Sequence, residues 1–102
     1  MEKLVTLAKV LSDTNRVKIL LLLKRESQLC VCEICDTLQL SQPLVSRHLA
    51  QMKKAQLVAT HKKGKWSLYS LRQDTLLEYL LKKVQEKLPS LVKCSSKERF
   101  NL

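Results

Sequence analysis

Glycine is almost missing from this chain of 102 residues, which has one, and proline occurs only twice. These two shortages leave little room for loops or disorder. Aromatic residues are few as well, with one Trp, two Tyr and one Phe, while leucines abound, a balance that favours a mainly helical fold. Long apolar runs are absent: the longest, Ile19 to Leu23, falls well short of the roughly 18 residues of a membrane span. Nor does the start read as a signal peptide, because Glu2 and Lys3 lead into an amphipathic pattern. The expectation is a cytoplasmic protein with reduced cysteines, which favours ligation or redox sensing over a structural disulfide. The length fits one domain, residues 1–88, with a modest core that a homodimer interface would help and no catalytic cleft implied. Residues 89–102 are polar and short of apolar periodicity, and read as a mobile tail containing Cys94.

A second absence is local. From Thr37 to Gln73 there is no Asp or Glu, while Arg47, Lys53, Lys54, Lys62, Lys63, Lys65 and Arg72 contribute seven of the 19 basic residues behind the net charge of +10. The flanks are nearly balanced, six basic against five acidic before this window and six against four after it. So segregated a basic stretch is the footprint of phosphate contact, with a solvated basic face as the plainer alternative.

What is present is mostly helix. Leu4, Leu7 and Leu11, with Val5 and Val10 beside them, give a first helix one apolar face. Ser12 or Asp13 then caps a second, from about Thr14 to Arg25, whose Ile19–Leu23 run is apolar all round and belongs at the centre of a core. Ser27 to Leu29 break the pattern before a third helix, with Ile34 and Leu38 on its buried face. Leu38-Gln39-Leu40-Ser41 is short enough for the tight corner of a helix-turn-helix. Ser41 is a good N-cap for the next helix, and Pro43 lies in its first turn, where a missing N–H costs little. Val45, Leu49 and Met52 form its buried stripe and leave Gln42, Ser46, Arg47, Gln51 and Lys54 to other faces, able to reach bases and phosphates. Arg47 is the best candidate for a base contact, because a guanidinium pairs bidentately with guanine. His48 reads as a groove contact or as a partly packed histidine.

After this helix the rhythm changes from 3.6 to 2. Leu57–Lys62 and Lys65–Leu71 read as two strands around the lone glycine, Gly64, making a wing with a basic tip of Lys62, Lys63 and Lys65. Trp66 reads as a packing residue of this hairpin rather than a base-stacking one, and His61 as an exposed wing residue. Asp74 caps a last helix whose Leu76, Leu77, Leu80, Leu81, Val84 and Leu88 make a wide apolar surface, suited to pairing with a second subunit or to packing on the first helix. Pro89 stops it. The fold class is therefore mainly α with a small β-hairpin: a winged helix-turn-helix of about five helices and a two-stranded wing.

Three of the four cysteines, Cys30, Cys32 and Cys35, lie just ahead of the DNA-reading segment. Thiolates are the ligands of soft, thiophilic ions. On a helix Cys32 and Cys35 would face the same way, while Cys30 would point about 200° from Cys32. For three sulfurs to meet, Cys30 must sit outside a helix starting near Cys32, or the first turn must open. A helix N-terminus is also expected to lower the thiol pKa there.

These segments together resemble a known family. Leu11-Ser12-Asp13-Thr14-Asn15-Arg16-Val17-Lys18-Ile19-Leu20, the cysteine run, Leu40-Ser41-Gln42-Pro43-Leu44-Val45-Ser46-Arg47-His48-Leu49 and the wing ending Leu68-Tyr69-Ser70-Leu71 are similar to the arsenic-responsive ArsR/SmtB-type metalloregulatory repressors, over roughly residues 4 to 88. The resemblance implies a dimeric winged-helix repressor that leaves double-stranded operator DNA when As(III) or Sb(III) binds, with no organic cofactor. It implies Cys30, Cys32 and Cys35 as trigonal thiolate ligands, and Gln42, Ser46, Arg47 and His48 as recognition-helix residues. The proline that many relatives carry after the Asp is lacking at Thr14, and Cys94 has no counterpart. Zinc-sensing relatives carry Asp-x-His and a later His on the last helix, whereas this chain has Asp74-Thr75-Leu76 and a His-free helix. Cadmium and lead sensors add N-terminal cysteines, and residues 1–29 contain none. Two alternatives stand beside this reading: a redox-responsive thiol repressor of the same fold, and a Cys32-Glu33-Ile34-Cys35 oxidoreductase, which would need a βαβ scaffold that the pattern lacks.

Overall fold

Two helices open the chain, α1 (Glu2–Leu11) and α2 (Thr14–Glu26), in the computed structural model, which describes residues 2–87. The bend between them is closed by Asp13, whose Oδ1 accepts hydrogen bonds from the backbone N–H groups of Asn15 (2.8 Å) and Arg16 (3.4 Å). Burial acts to raise the Asp13 pKa, but those two N–H donors, together with the nearby His48 and Arg16, make the net shift downward. Arg16 fastens the same corner: Nε donates to the Val10 carbonyl (3.0 Å) and Nη2 to that of Lys9 (3.1 Å), filling acceptors that the end of α1 leaves open. Its Nη1 donates to Gln51 Oε1 at 2.8 Å.

The all-round apolar run does what its composition requires. Val17 and Ile19 to Leu23 are all buried, and α1, α3 and α5 pack on α2. A fully buried leucine contributes about 1.5–3 kcal/mol. Around it lie Leu7, Ile34, Val45, Leu49, Met52, Leu57, Leu77 and Leu81, each at most 1% exposed.

Past α2, Ser27 turns the backbone at φ 74 and the chain enters β1 (Gln28–Cys30), then α3 (Val31–Leu38) and α4 (Gln42–Lys54). The corner between α3 and α4 contains no glycine; Gln39 takes the left-handed conformation at φ 58 and its Nε2 donates to the Asp36 carbonyl at 2.7 Å. Strands β2 (Val58–Lys63) and β3 (Trp66–Leu71) form the wing, paired from Val58↔Leu71 to Lys63↔Trp66. Gly64, at φ 63, begins the two-residue turn. The last helix, α5 (Thr75–Lys87), is capped as expected: Asp74 Oδ1 accepts from Leu77 N–H at 3.1 Å, and the Asp74 carboxylate also pairs with Lys3 of α1.

Two expectations about the sheet need correcting. The wing has a third partner, because β1 pairs antiparallel with the free edge of β3 (Gln28↔Ser70, Leu29↔Tyr69, Cys30↔Leu68), giving the order β1-β3-β2. A two-stranded hairpin is marginal alone, and the segment read as a break supplies the strand that steadies it, with Leu29 buried beneath. The first strand also shifts by one residue, to 58–63, and the second starts one residue later, at Trp66, while ending at Leu71 as expected. No helix among the described residues is long and apolar enough to cross a membrane. Leu88, Pro89, the proposed 89–102 tail and Cys94 lie outside the described residues.

Candidate functional site

Helix α4 starts at Ser41, whose Oγ accepts from Leu44 N–H at 3.4 Å, with Pro43 in the first turn. Of the residues expected to face nucleic acid, Gln42, Ser46 and Arg47 are exposed on this helix, and Lys62, Lys63 and Lys65 are exposed at the wing tip. Lys53, near the end of α4, donates to Thr60 Oγ1 at 3.0 Å and links helix to wing. Lys65 Nζ lies 5.8 Å from the centroid of the Trp66 ring. Between Thr37 and Gln73 no carboxylate offsets these cations.

His48 is a correction. It is 4% exposed and lies on the inward stripe with Val45, Leu49 and Met52, so the groove-contact reading gives way to the packed one. The spacing already contained this answer, since 45, 48, 49 and 52 are i, i+3, i+4, i+7. Burial depresses the imidazole pKa, assisted by Arg16 and Arg47 and opposed by Asp13 and by Gln51.

The cysteines sit at the junction of sheet and helix. Cys30 ends β1 and is also the N-cap of α3, outside the helix as convergence of three sulfurs would require. With Glu33 it forms a capping box: the Cys30 side chain accepts from the Glu33 backbone N–H, and Glu33 Oε1 accepts from Cys30 N–H at 3.0 Å. Sequence reasoning passed over Glu33, although Cys-x-x-Glu is the capping-box pattern with sulfur in place of a hydroxyl. Cys32 is exposed, and Cys35 is half-buried against the core. All three are free thiols.

The acidity of Cys30 and Cys35 differs from expectation. Burial raises the pKa of Cys30, and the Glu33 carboxylate pushes the same way; burial also raises Cys35, assisted by Cys32 and Asp36. Desolvation and neighbouring negative charge outweigh the helix terminus. Among the described residues no three His, Cys, Asp or Glu side chains gather closely enough to hold a metal ion. The donor set is soft and suits a thiophile, but the sulfurs have yet to converge.

Cys30, Cys32 and Glu33 line a cavity of about 380 Å³ together with Lys63, Trp66 and Leu68 of the wing. The Cys30↔Leu68 pairing of β1 with β3 fixes the cysteine segment and the wing relative to each other.

This chain resembles known proteins in sequence and in fold. Residues 13–60 match the model described as "Bacterial regulatory protein, arsR family". The "Arsenical resistance operon repressor" of Staphylococcus xylosus is 38% identical over 79 residues, 78% of this chain and 74% of that protein. The chain belongs to the arsR family. Another member, the "Arsenic resistance transcriptional regulator ArsR1" of Pseudomonas putida, is 46% identical over 66 residues, 65% of this chain but 52% of that protein, so the chain spans about half the length of that relative. Among solved structures, HlyU from Vibrio cholerae superposes with a TM-score of 0.79 at 29% identity, covering 87% of this chain and 95% of HlyU. The winged helix-turn-helix of the arsR family is thus the frame on which the cysteine site and the basic face are mounted.

Proposed function

We propose that this protein is a transcriptional repressor that binds operator DNA as a homodimer and dissociates when As(III) or Sb(III) is held by Cys30, Cys32 and Cys35. The observation that carries the reading is the double role of Cys30, a soft donor that is also the N-cap of α3. The names of the arsR-family relatives support the choice of ligand. A bound pnictogen supplies up to three bonds to sulfur, which suits three thiols better than tetrahedral zinc.

The DNA contact is assigned to Gln42, Ser46 and Arg47 in the major groove and to Lys62, Lys63 and Lys65 on the flanking phosphates. Apolar side chains left outside the core support the dimer: Leu4 is 53% and Val5 48% exposed on α1, and Tyr79 is 56% exposed on α5. Release follows from capping energetics. When the Cys30 sulfur turns to a ligand, the Glu33 N–H loses its acceptor, and loss of an N-cap costs about 0.5–2 kcal/mol. A hundredfold fall in operator occupancy corresponds to about 2.7 kcal/mol, or about 1.4 kcal/mol from each of two subunits, within reach of that term. The disturbance passes to α4 through the short corner Gln39-Leu40-Ser41.

Peroxide sensing by the same thiols is the second reading, and it predicts release by peroxide and not by arsenite. The oxidoreductase alternative lacks its scaffold, because the sheet is wholly antiparallel. The deciding measurement is operator binding titrated with arsenite, zinc, cadmium and peroxide, on the wild type and on each Cys→Ser variant. Arsenite should release the DNA and Cys32→Ser should abolish that release; normal release by Cys32→Ser protein overturns the ligand set.

A further inference from the structure

The two flanks of α4 are held by different partners. Lys53 reaches the wing, donating to Thr60 Oγ1 at 3.0 Å, while Gln51 reaches the corner between α1 and α2, where its Oε1 accepts from Arg16 Nη1 at 2.8 Å. Two residues apart on a helix, these side chains leave the axis about 200° from each other. Both residues are exposed, and Gln51 shares its side of the helix with the exposed Arg47 and Lys54, at i−4 and i+3. The Arg16–Gln51 bond fixes more than a distance. A guanidinium carries donors only, so the end of the amide that meets it must be the oxygen, and the NH2 end is turned away from Arg16. Arg16 is itself braced, because its Nε and Nη2 donate to the Val10 and Lys9 carbonyls at the end of α1. Asp13, at the same corner, has its Oδ1 engaged by the Asn15 and Arg16 backbone N–H groups.

We infer that Gln51 Nε2 donates to a backbone phosphate of operator DNA on the flank of α4 away from the wing, with Arg16 as the positioning residue that turns the amide outward. A helix about 10–12 Å across fills a major groove about 12 Å wide, so its flanks, unlike its leading face, lie along the two phosphate strands. The wing lysines serve one strand, and Gln51 serves the other. The guanidinium also polarises the amide it holds, which makes the NH2 group a stronger donor to an anion. The inference rests on the DNA-binding role proposed above, and it makes the α1–α2 corner part of the DNA interface.

The test uses the full chain and a duplex that the wild-type protein selects from a random library. Gln51→Ala should weaken binding about tenfold, the loss of one hydrogen bond to a charged acceptor, by the same factor on selected and unselected duplexes and with an unchanged melting temperature. Single methylphosphonate substitutions along both strands should include a position that costs the wild type about tenfold and costs Gln51→Ala nothing further. Replacing purines by their 7-deaza analogues should not separate the two proteins. Arg16→Lys keeps the charge but not the planar fork, so it should weaken binding in the wild-type background and have little further effect in Gln51→Ala. Wild-type binding by Gln51→Ala, or a difference that appears with 7-deazapurines instead of methylphosphonates, overturns the phosphate contact. Additive losses from Arg16→Lys and Gln51→Ala overturn the positioning role. Failure of the wild type to select any duplex would instead strike the DNA-binding reading itself, and the inference with it.

Discussion

Helices α3 and α4 are consecutive and packed together, yet their first turns are closed by different chemistry and anchored to different depths. α4 begins with the hydroxyl of Ser41 and buries Val45, His48, Leu49 and Met52. α3 begins with the sulfur of Cys30 and buries only Ile34. A hydroxyl cap is indifferent to soft ions, whereas a thiol cap is a ligand, so the same mechanical part is inert in one helix and addressable in the other. The shallower anchoring matters equally, because an element with few buried contacts opens at lower free energy than its neighbour. Under the proposed function, the comparison makes the weakly held helix the responsive element and the firmly held one the reading element.

The hardest blow to this contrast is a cavity under the firm helix. Leu49→Ala, at a fully buried position, should cost about 2–5 kcal/mol in denaturant unfolding and lower the midpoint without altering which helix responds to ligand. Next comes the exposed face of α4: Arg47→Ala should weaken operator binding by about 1–3 kcal/mol while leaving thermal stability within about 0.5 kcal/mol, measured by titration and melting.

Exchanging the caps tests the contrast most sharply. Ser41→Ala should lose about 0.5–2 kcal/mol of stability yet keep arsenite binding. Cys30→Ser should keep its helix start, since serine is a good N-cap, and lose the response to arsenite. If Cys30→Ser behaves as a destabilised protein that still responds, the capping account is wrong.

A smaller effect separates the two helices by pH. The folded His48 pKa is depressed below 6.5, so as pH falls through that value the unfolded chain takes up a proton that the folded one refuses. Stability should be fully present above this range and decline as pH drops towards the folded pKa. His48→Leu should flatten that part of the stability curve. The Asp74 carboxyl, held down first by Lys3 and then by the Leu77 N–H, adds a separate loss only below its usual value of 3.8.

Much of this was legible residue by residue. Ser41 before Gln42-Pro43, Asp13 before Thr14 and Asp74 before Thr75 mark helix starts because capping is a local event within four residues. The Ile19–Leu23 run identifies the core helix, because no face of it could remain in water. His48 was half legible, its spacing pointing inward and its chemistry outward, and packing prevailed. β1 was invisible: three residues carry no usable period, and their pairing depends on an edge some 40 residues away.

The sequence by itself determined the helices, the Ser41 and Asp74 caps, the basic stretch without acids and the three sulfurs ahead of the fourth helix, all set by neighbours along the chain. The tertiary structure alone decided that Cys30 lies in strand register with Leu68, that Trp66 lines one cavity with Cys30 and Cys32, and that burial raises the Cys30 and Cys35 pKa values. Those facts depend on which distant segments exclude water from one another, and that is settled only when the chain has folded.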